Sequence, residues 1–326
     1  MHSLHFTKQN LVQTQDLIQV VMEQYETAED GDFLRDAYLW AADLPDEVRR
    51  VTTALKTDEY HDGILHLKGY RFRRPLRPTP RNWTLPESGL PDQEADFLGV
   101  LLSTLLGDVF GFETQQDGKL IHDVMPVKGM EFVQSGSSSL ANLSYHTEDA
   151  FHPHRGEFLV FCYLRNPNRV GTELASIHQF ELPDSVHRIL TQPRFFVVPD
   201  NTHSVGEEFG ERTPVLFGPS DRPFIRFDPD FTHACHGDNE AEMALQVLDK
   251  SIKSVLFEVP AEPGDFLVID NCKVVHGRRP FQARFDQEDR WLKRFNINLD
   301  LKRAAPYRRD MRSRLLSAAP VGRNSA

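Results

Sequence analysis

Two short stretches carry residues able to hold a metal ion. In NLSYHTEDAFHPHRGEF, His146 and Glu148 stand two apart. Residues two apart in an extended strand share a face, so an imidazole and a carboxylate can reach one ion. In EPGDFLVIDNCKVVHGRRPF, His276 follows an apolar run and a turn, and precedes a glycine. That position suits a ligand facing into the mouth of a β-sandwich; the bland alternative is a satisfied core histidine. Two histidines and one carboxylate on one face of an octahedral iron leave three positions for a cosubstrate and O2. The His-x-Glu pair alone says little. With 14 histidines and 48 acidic residues in the chain, chance supplies about two His-x-Asp/Glu matches. The second match, His236-Gly-Asp238, lies in a loop-like HGDNEAE context.

Charged pairs add to the metal candidates. In DRWLKRFNINL, Arg290 and Arg294 are four apart in a β-rich run and so project from one face. Two inward arginines are costly unless anions pair with them, and a guanidinium grips a carboxylate with two parallel hydrogen bonds. Near a metal they suggest two carboxylates to hold; the alternative is an exposed edge strand. In RFDPDFT, Asp228 and Asp230 share a face if the segment is extended. Such a pair suits a guanidinium well and an ammonium adequately; the alternative is a surface turn. His152 and His154 flank Pro153 and invite a zinc site with His146. The proline and the lack of a cysteine or second acid make that geometry awkward, and local packing of His152 is the simpler expectation. Cys272 is expected to be a small buried residue.

These residues need a frame. Apolar residues recur at helical spacing over about 11–28, 46–56 and 92–109, and GILHLKGY from Gly63 reads as a strand followed by a Pro-rich loop. From Lys119 onward, short β-rich runs alternate with Pro, Gly, Asn and Asp, with helical segments near 184–190 and 240–253. Many short strands with such punctuation indicate a two-sheet sandwich or jelly roll. The expected organisation is one domain, mainly β with peripheral helices: a helical part to about 110, a core over about 111–302, and a polar, mobile tail over 303–326. SGSSS at 135–139 reads as a flexible loop. Residues 201–213 form the lid candidate, with an ordinary surface loop as the alternative.

Composition narrows the partners. Hydrophobic residues make up 40% and charged residues 26%, as in ordinary globular proteins. A net charge of −11 repels phosphates and disfavours nucleic acid, whereas a small cation would be attracted. Three scattered cysteines without a CxxC pair fit a reducing cytoplasm. No signal-peptide pattern opens the chain, and its apolar runs are too short to span a bilayer. Oligomeric state is not encoded in any visible motif.

HTEDAFHP, LRNP, PGDFLVIDN, VHGR and DRWLKR, taken together, resemble the clavaminate-synthase-like branch of the Fe(II)/2-oxoglutarate oxygenases. More narrowly, they resemble bacterial enzymes that oxidise free arginine, lysine or asparagine. The similarity runs from about Lys119 to Leu299. It implies a double-stranded β-helix (jelly-roll) fold, with Fe(II), 2-oxoglutarate and O2 as reagents and succinate and CO2 as coproducts. His146, Glu148 and His276 would hold iron. Arg290 would bind the distal carboxylate of 2-oxoglutarate, helped by Thr172, although the family's Thr-Thr pair is here Thr172-Glu173. Arg294 would hold the substrate α-carboxylate, and Gln115 or Gln116 its α-amino group. Asp228 and Asp230 match a D-x-D that clamps a cationic side chain. Halogenating relatives lack the metal carboxylate, so Glu148 points to hydroxylation or desaturation of an amino acid, with L-arginine the leading substrate, L-lysine the alternative, and a role in antibiotic biosynthesis. The other alternative is a non-catalytic jelly-roll binding protein that has kept the pocket.

Overall fold

The structure, a computed structural model, describes residues 1–84, 92–200, 203 and 211–321. Its layers are written into the Phe158–Arg165 strand. Leu159, Phe161 and Tyr163 enter one buried cluster, and Phe158, Val160, Cys162 and Leu164 another. An alternating strand that is apolar on both faces must be covered on both. The first cluster lies between two sheets. The larger sheet runs in the order His2–His5, Ile64–Lys68, Phe266–Asp270, Phe158–Arg165, Trp291–Asn298, Asp108–Phe112 and Leu315–Leu316, with Ile121–Val124 also paired to Trp291–Asn298. The smaller holds Phe257–Val259, Thr172–Ser176, Val274–Arg278 and Leu143–His146, all antiparallel. Facing, mainly antiparallel sheets with this connectivity form the expected jelly roll.

Helices close the outer faces. Four helices, α1 (Lys8–Gln24), α2 (Gly31–Ala41), α3 (Asp46–Thr57) and α4 (Gln93–Thr104), supply residues to the cluster behind the large sheet. Behind the small sheet, α5 (Asp184–Leu190) and α6 (Asn239–Val255) cover Tyr145, Ala175 and Val275. Asp238 caps α6 by accepting from the Ala241 backbone amide at 3.1 Å, and Arg194 Nε donates to it at 2.6 Å. Its His-x-Asp motif is therefore a helix cap. Among the described residues, no helix is long and apolar enough to cross a membrane.

Several elements differ from expectation. Helix α4 stops at Thr104, and Asp108–Phe112 is a strand. Gly107 permits the switch, since a Cβ there would lie 2.5 Å from the Asn298 carbonyl oxygen. Residues 2–5 and 64–68 pair in parallel, so the helical N-terminal part also contributes to the large sheet. The tail to residue 321 is docked, not loose. Leu315 and Leu316 pair with Gly111 and Phe112, and Arg314 donates to the Leu34 carbonyl at 2.8 Å. The serine loop is also packed: Ser135, Ser137, Ser138 and Ser139 are buried, and Arg278 donates to the Ser138 carbonyl and hydroxyl, both at 2.8 Å.

Candidate active site

Strand pairing builds the metal-binding group. His276 lies directly across from His146 in the small sheet, so both rings project from one face with centroids 4.5 Å apart. Glu148 follows two residues later, its Oε2 3.6 Å from His146 Nε2 and 3.3 Å from His276 Nε2. One ligand atom from each residue lies within 4.8 Å of the others. His146 Nδ1 sits 2.8 Å from the Ser144 carbonyl, which places the proton there and leaves Nε2 as the donor for a metal. Asn271 anchors Glu148. Fully buried, it accepts from the Glu148 amide at 2.8 Å and donates to the carbonyls of Glu148 at 3.1 Å and Gly156 at 2.8 Å.

The electrostatics suit a cation at this point. Burial opposes ionisation of Glu148, but Arg294 and the two imidazoles outweigh it and hold the carboxyl well below its ordinary range. Burial, with His146 as a second cause, lowers His276 to about 4, so its ring is neutral, as a metal ligand must be. His146 is pushed up to about 9 because Glu148 and Asp228 outweigh its burial. In the free protein a proton thus occupies charge density that a metal ion would take. Two imidazoles and one carboxylate on one face fit Fe(II) with open positions.

Arginines flank this group. Arg290, Leu292 and Arg294 all line the same cavity, with Arg290 immediately before the Trp291–Asn298 strand. Arg290 is buried over the Tyr163 ring, 5.6 Å from its centroid, and no carboxylate of the described residues lies within ion-pair distance. Thr172, also on the cavity wall, is hydrogen-bonded to the Tyr163 hydroxyl. Arg294 pairs with Glu148, lies 2.8 Å from His122 Nδ1, and donates to Gln115 Oε1 at 3.4 Å. Gln115 donates to Asp149 at 2.9 Å and sits 3.0 Å from His203 Nε2. Gln116 is elsewhere: its side chain bonds the Asp123 backbone at 2.8 and 2.9 Å. Its backbone has φ of 43°, a left-handed turn that turns the two glutamines apart.

Asp228 and Asp230 do line the cavity, but in a turn instead of an extended strand. Asp228 accepts from the Asp230 amide at 2.9 Å, an Asx-type turn that Pro229 favours. Thr147 ties the turn to the ligand strand: its amide donates to the Phe227 carbonyl at 2.8 Å, and its hydroxyl accepts from the Phe227 amide at 3.1 Å. Burial pushes Asp228 up to about 6. Gln134 donates to Asp230 at 2.9 Å.

Residues 88–296 match the model of the taurine catabolism dioxygenases, the TauD/TfdA family. The chain belongs to this family. It is 35% identical to the enduracididine beta-hydroxylase of Streptomyces hygroscopicus, over 94% of this chain and 97% of that one. It is 32% identical to the L-ornithine/L-arginine 3-hydroxylase of Catenulispora acidiphila, over the same shares. The structure of the non-heme iron oxygenase OrfP with Fe, succinate and (3S)-hydroxy-L-Arg superposes with a TM-score of 0.92 at 35% identity, covering 97% of this chain and 100% of OrfP. This TauD/TfdA enzyme is an Fe(II)/2-oxoglutarate-dependent oxygenase that uses O2.

The oxygenase site also recruits residues that spacing did not single out. Arg278 shares the face of His276, two residues away, and that alternation was available in the sequence. Gln134, His122 and His203 carried no local signal, and Asn271 only its place in the PGDFLVIDN motif; contacts from distant segments bring them in. His152 stands outside the metal-binding group. It is buried edge-on against Phe112 and Tyr307, at 4.9 and 4.6 Å, and burial lowers it to about 3. Cys272 is partly buried, and burial pushes its thiol up to about 12. Of the lid candidate at 201–213, residues 201–202 and 204–210 lie outside the described residues.

Proposed function

We propose that this oxygenase oxidises an unactivated side-chain carbon of a free cationic amino acid, L-arginine before L-lysine. The observation that carries this is the charge layout of one cavity: Arg294 beside the metal ligands, Asp228 and Asp230 on the wall beyond them. A molecule with a carboxylate at one end and a cation at the other matches both. The relatives that hydroxylate enduracididine, ornithine and arginine handle molecules of this kind.

His146, Glu148 and His276 are the proposed iron ligands. Bound iron, with 2-oxoglutarate and O2, supplies an oxidant able to take hydrogen from an unactivated C–H bond. Arg290, buried without a carboxylate partner among the described residues, would pair with the distal carboxylate of 2-oxoglutarate, with Thr172 alongside. Arg294, paired with Glu148 and oriented by His122 and Gln115, would offer its remaining N–H groups to the substrate α-carboxylate. Of the two glutamines, Gln115, which touches Arg294, would meet the α-amino group. Asp228 and Asp230 would hold the far end. Fixing both ends limits which carbon faces the oxidant, and orientation of this kind carries much of the rate.

The test is turnover. Purified protein with Fe(II), 2-oxoglutarate, ascorbate and air is given a panel of free amino acids, and succinate and product mass are followed together. A gain of one oxygen on arginine is expected; loss of two hydrogens would mark desaturation. Glu148→Ala should abolish both signals. Background succinate with every cationic amino acid would sink the substrate assignment and favour a binding protein.

A further inference from the structure

We infer that Gln134 is a third acceptor for the cationic end of the substrate, and that it reads a guanidinium in preference to an ammonium. The inference rests on the cationic amino-acid reading above. Gln134 Nε2 donates to Asp230 Oδ2 at 2.9 Å and lies 3.4 Å from Ser144 Oγ. An ionised carboxylate only accepts hydrogen bonds, so the amide nitrogen must face Asp230 and the carbonyl oxygen must point away. That oxygen is buried and has no hydrogen-bond partner among the described residues, on a side chain that lines the cavity. Buried acceptors are almost always satisfied, so this one, on a side chain that lines the cavity, has capacity for a further donor.

The loop cannot easily turn the amide elsewhere. Arg278 grips Ser138 at 2.8 Å, and the Val127 amide donates to the Ser137 carbonyl at 3.0 Å. A guanidinium presents five N–H donors in one plane, more than two carboxylates in fixed positions readily take up; an ammonium presents three on a tetrahedron. A planar neutral acceptor beside Asp230 thus completes a fork and adds little for a compact ammonium. It adds no further charge to an already acidic wall.

Wild-type turnover of L-arginine is measured first, since its absence would overturn the substrate reading and this inference together. Dissociation constants for L-arginine and L-lysine are then measured by calorimetry on protein loaded with Fe(II) and 2-oxoglutarate under nitrogen. Gln134→Met, near in volume, should weaken arginine binding about tenfold, the loss of one hydrogen bond to a charged group. Lysine binding should change by less than about twofold. Asp230→Asn with and without Gln134→Met separates contact from support: added loss of arginine affinity in the double variant is expected. If both amino acids weaken equally, or the double variant binds arginine as well as Asp230→Asn alone, Gln134 only holds Asp230 and the inference falls. Should Gln134→Met misfold, as judged by its melting curve, Gln134→Leu takes its place.

Discussion

Asp228 answers to two opposed demands. Burial raises it to about 6, while the nearby His146 and the Asp230 amide pull it down. To hold a cation it must be ionised. In the free enzyme it is ionised above about pH 6 and becomes neutral below, so affinity for the amino acid falls as the pH drops. The expected profile of kcat/KM for arginine is level above about pH 7, then falls toward tenfold per pH unit below about 6. The profile of kcat at saturating substrate should bend at lower pH, because a bound cation favours the carboxylate. Asp228→Asn should lower kcat/KM and remove that bend. A bend that persists in the variant would assign the titration to another group.

The Trp291–Asn298 strand does two jobs through its alternation. Leu292 and Arg294 face the cavity, whereas Trp291, Lys293 and Phe295 face the helices. Lys293 is buried with Nζ 3.1 Å from Asp92, 3.3 Å from Asp96 and 2.9 Å from Asp123, and Trp291 Nε1 also donates to Asp123 at 2.7 Å. Burial alone would lower the lysine, but the three carboxylates outweigh it and hold the ammonium above its ordinary range. The cluster pins the start of α4 to the back of the strand whose other face carries Arg294. Lys293→Met removes the ammonium from Asp96 and the buried Asp123, while Asp92 keeps Arg77, and is expected to cost about 3–5 kcal/mol, read as a lower urea midpoint. Iron affinity of the folded fraction should stay near wild type, since the cluster is behind the sheet. An unchanged midpoint would show that the carboxylates find other partners.

At the scale of the whole molecule, the last described stretch closes an edge of the large sheet beneath the site. Leu316 joins a buried cluster with Phe110, Phe112, Leu301 and Ala304. Phe112 in turn stands 5.1 Å from the His203 ring, and His203 touches Gln115 and Asp149. Deleting residues 305–326 should uncover that cluster, lower Tm, and raise KM for the amino acid more than KM for 2-oxoglutarate, because Gln115 lies nearer the exposed edge than Arg290 does. Calorimetric melting and separate KM measurements check both parts. Equal rises in the two KM values would mean general loosening.

Period-two spacing, together with the family's motif set, was enough to mark the jelly roll, to put His146 with Glu148, and to place Arg290 and Arg294 on one face. Motifs are written in residue order alone, whereas Glu148, in a turn just past the Leu143–His146 strand, and Arg290, just before Trp291–Asn298, reach the cavity from beyond the strands themselves. Other features were settled by contacts across the chain. Pairing register set His276 opposite His146, a left-handed turn sent Gln116 away from Gln115, and Pro229 bent the aspartate pair into a turn. The serine loop and the tail, polar in composition, were drawn in by Arg278 and by the open edge of Asp108–Phe112. Composition describes how a segment meets water, whereas its fate depends on whether a distant surface leaves hydrogen bonds to complete. Gln134 shows the same limit: its amide has no signature until the groups it joins, far away in sequence, are folded around it.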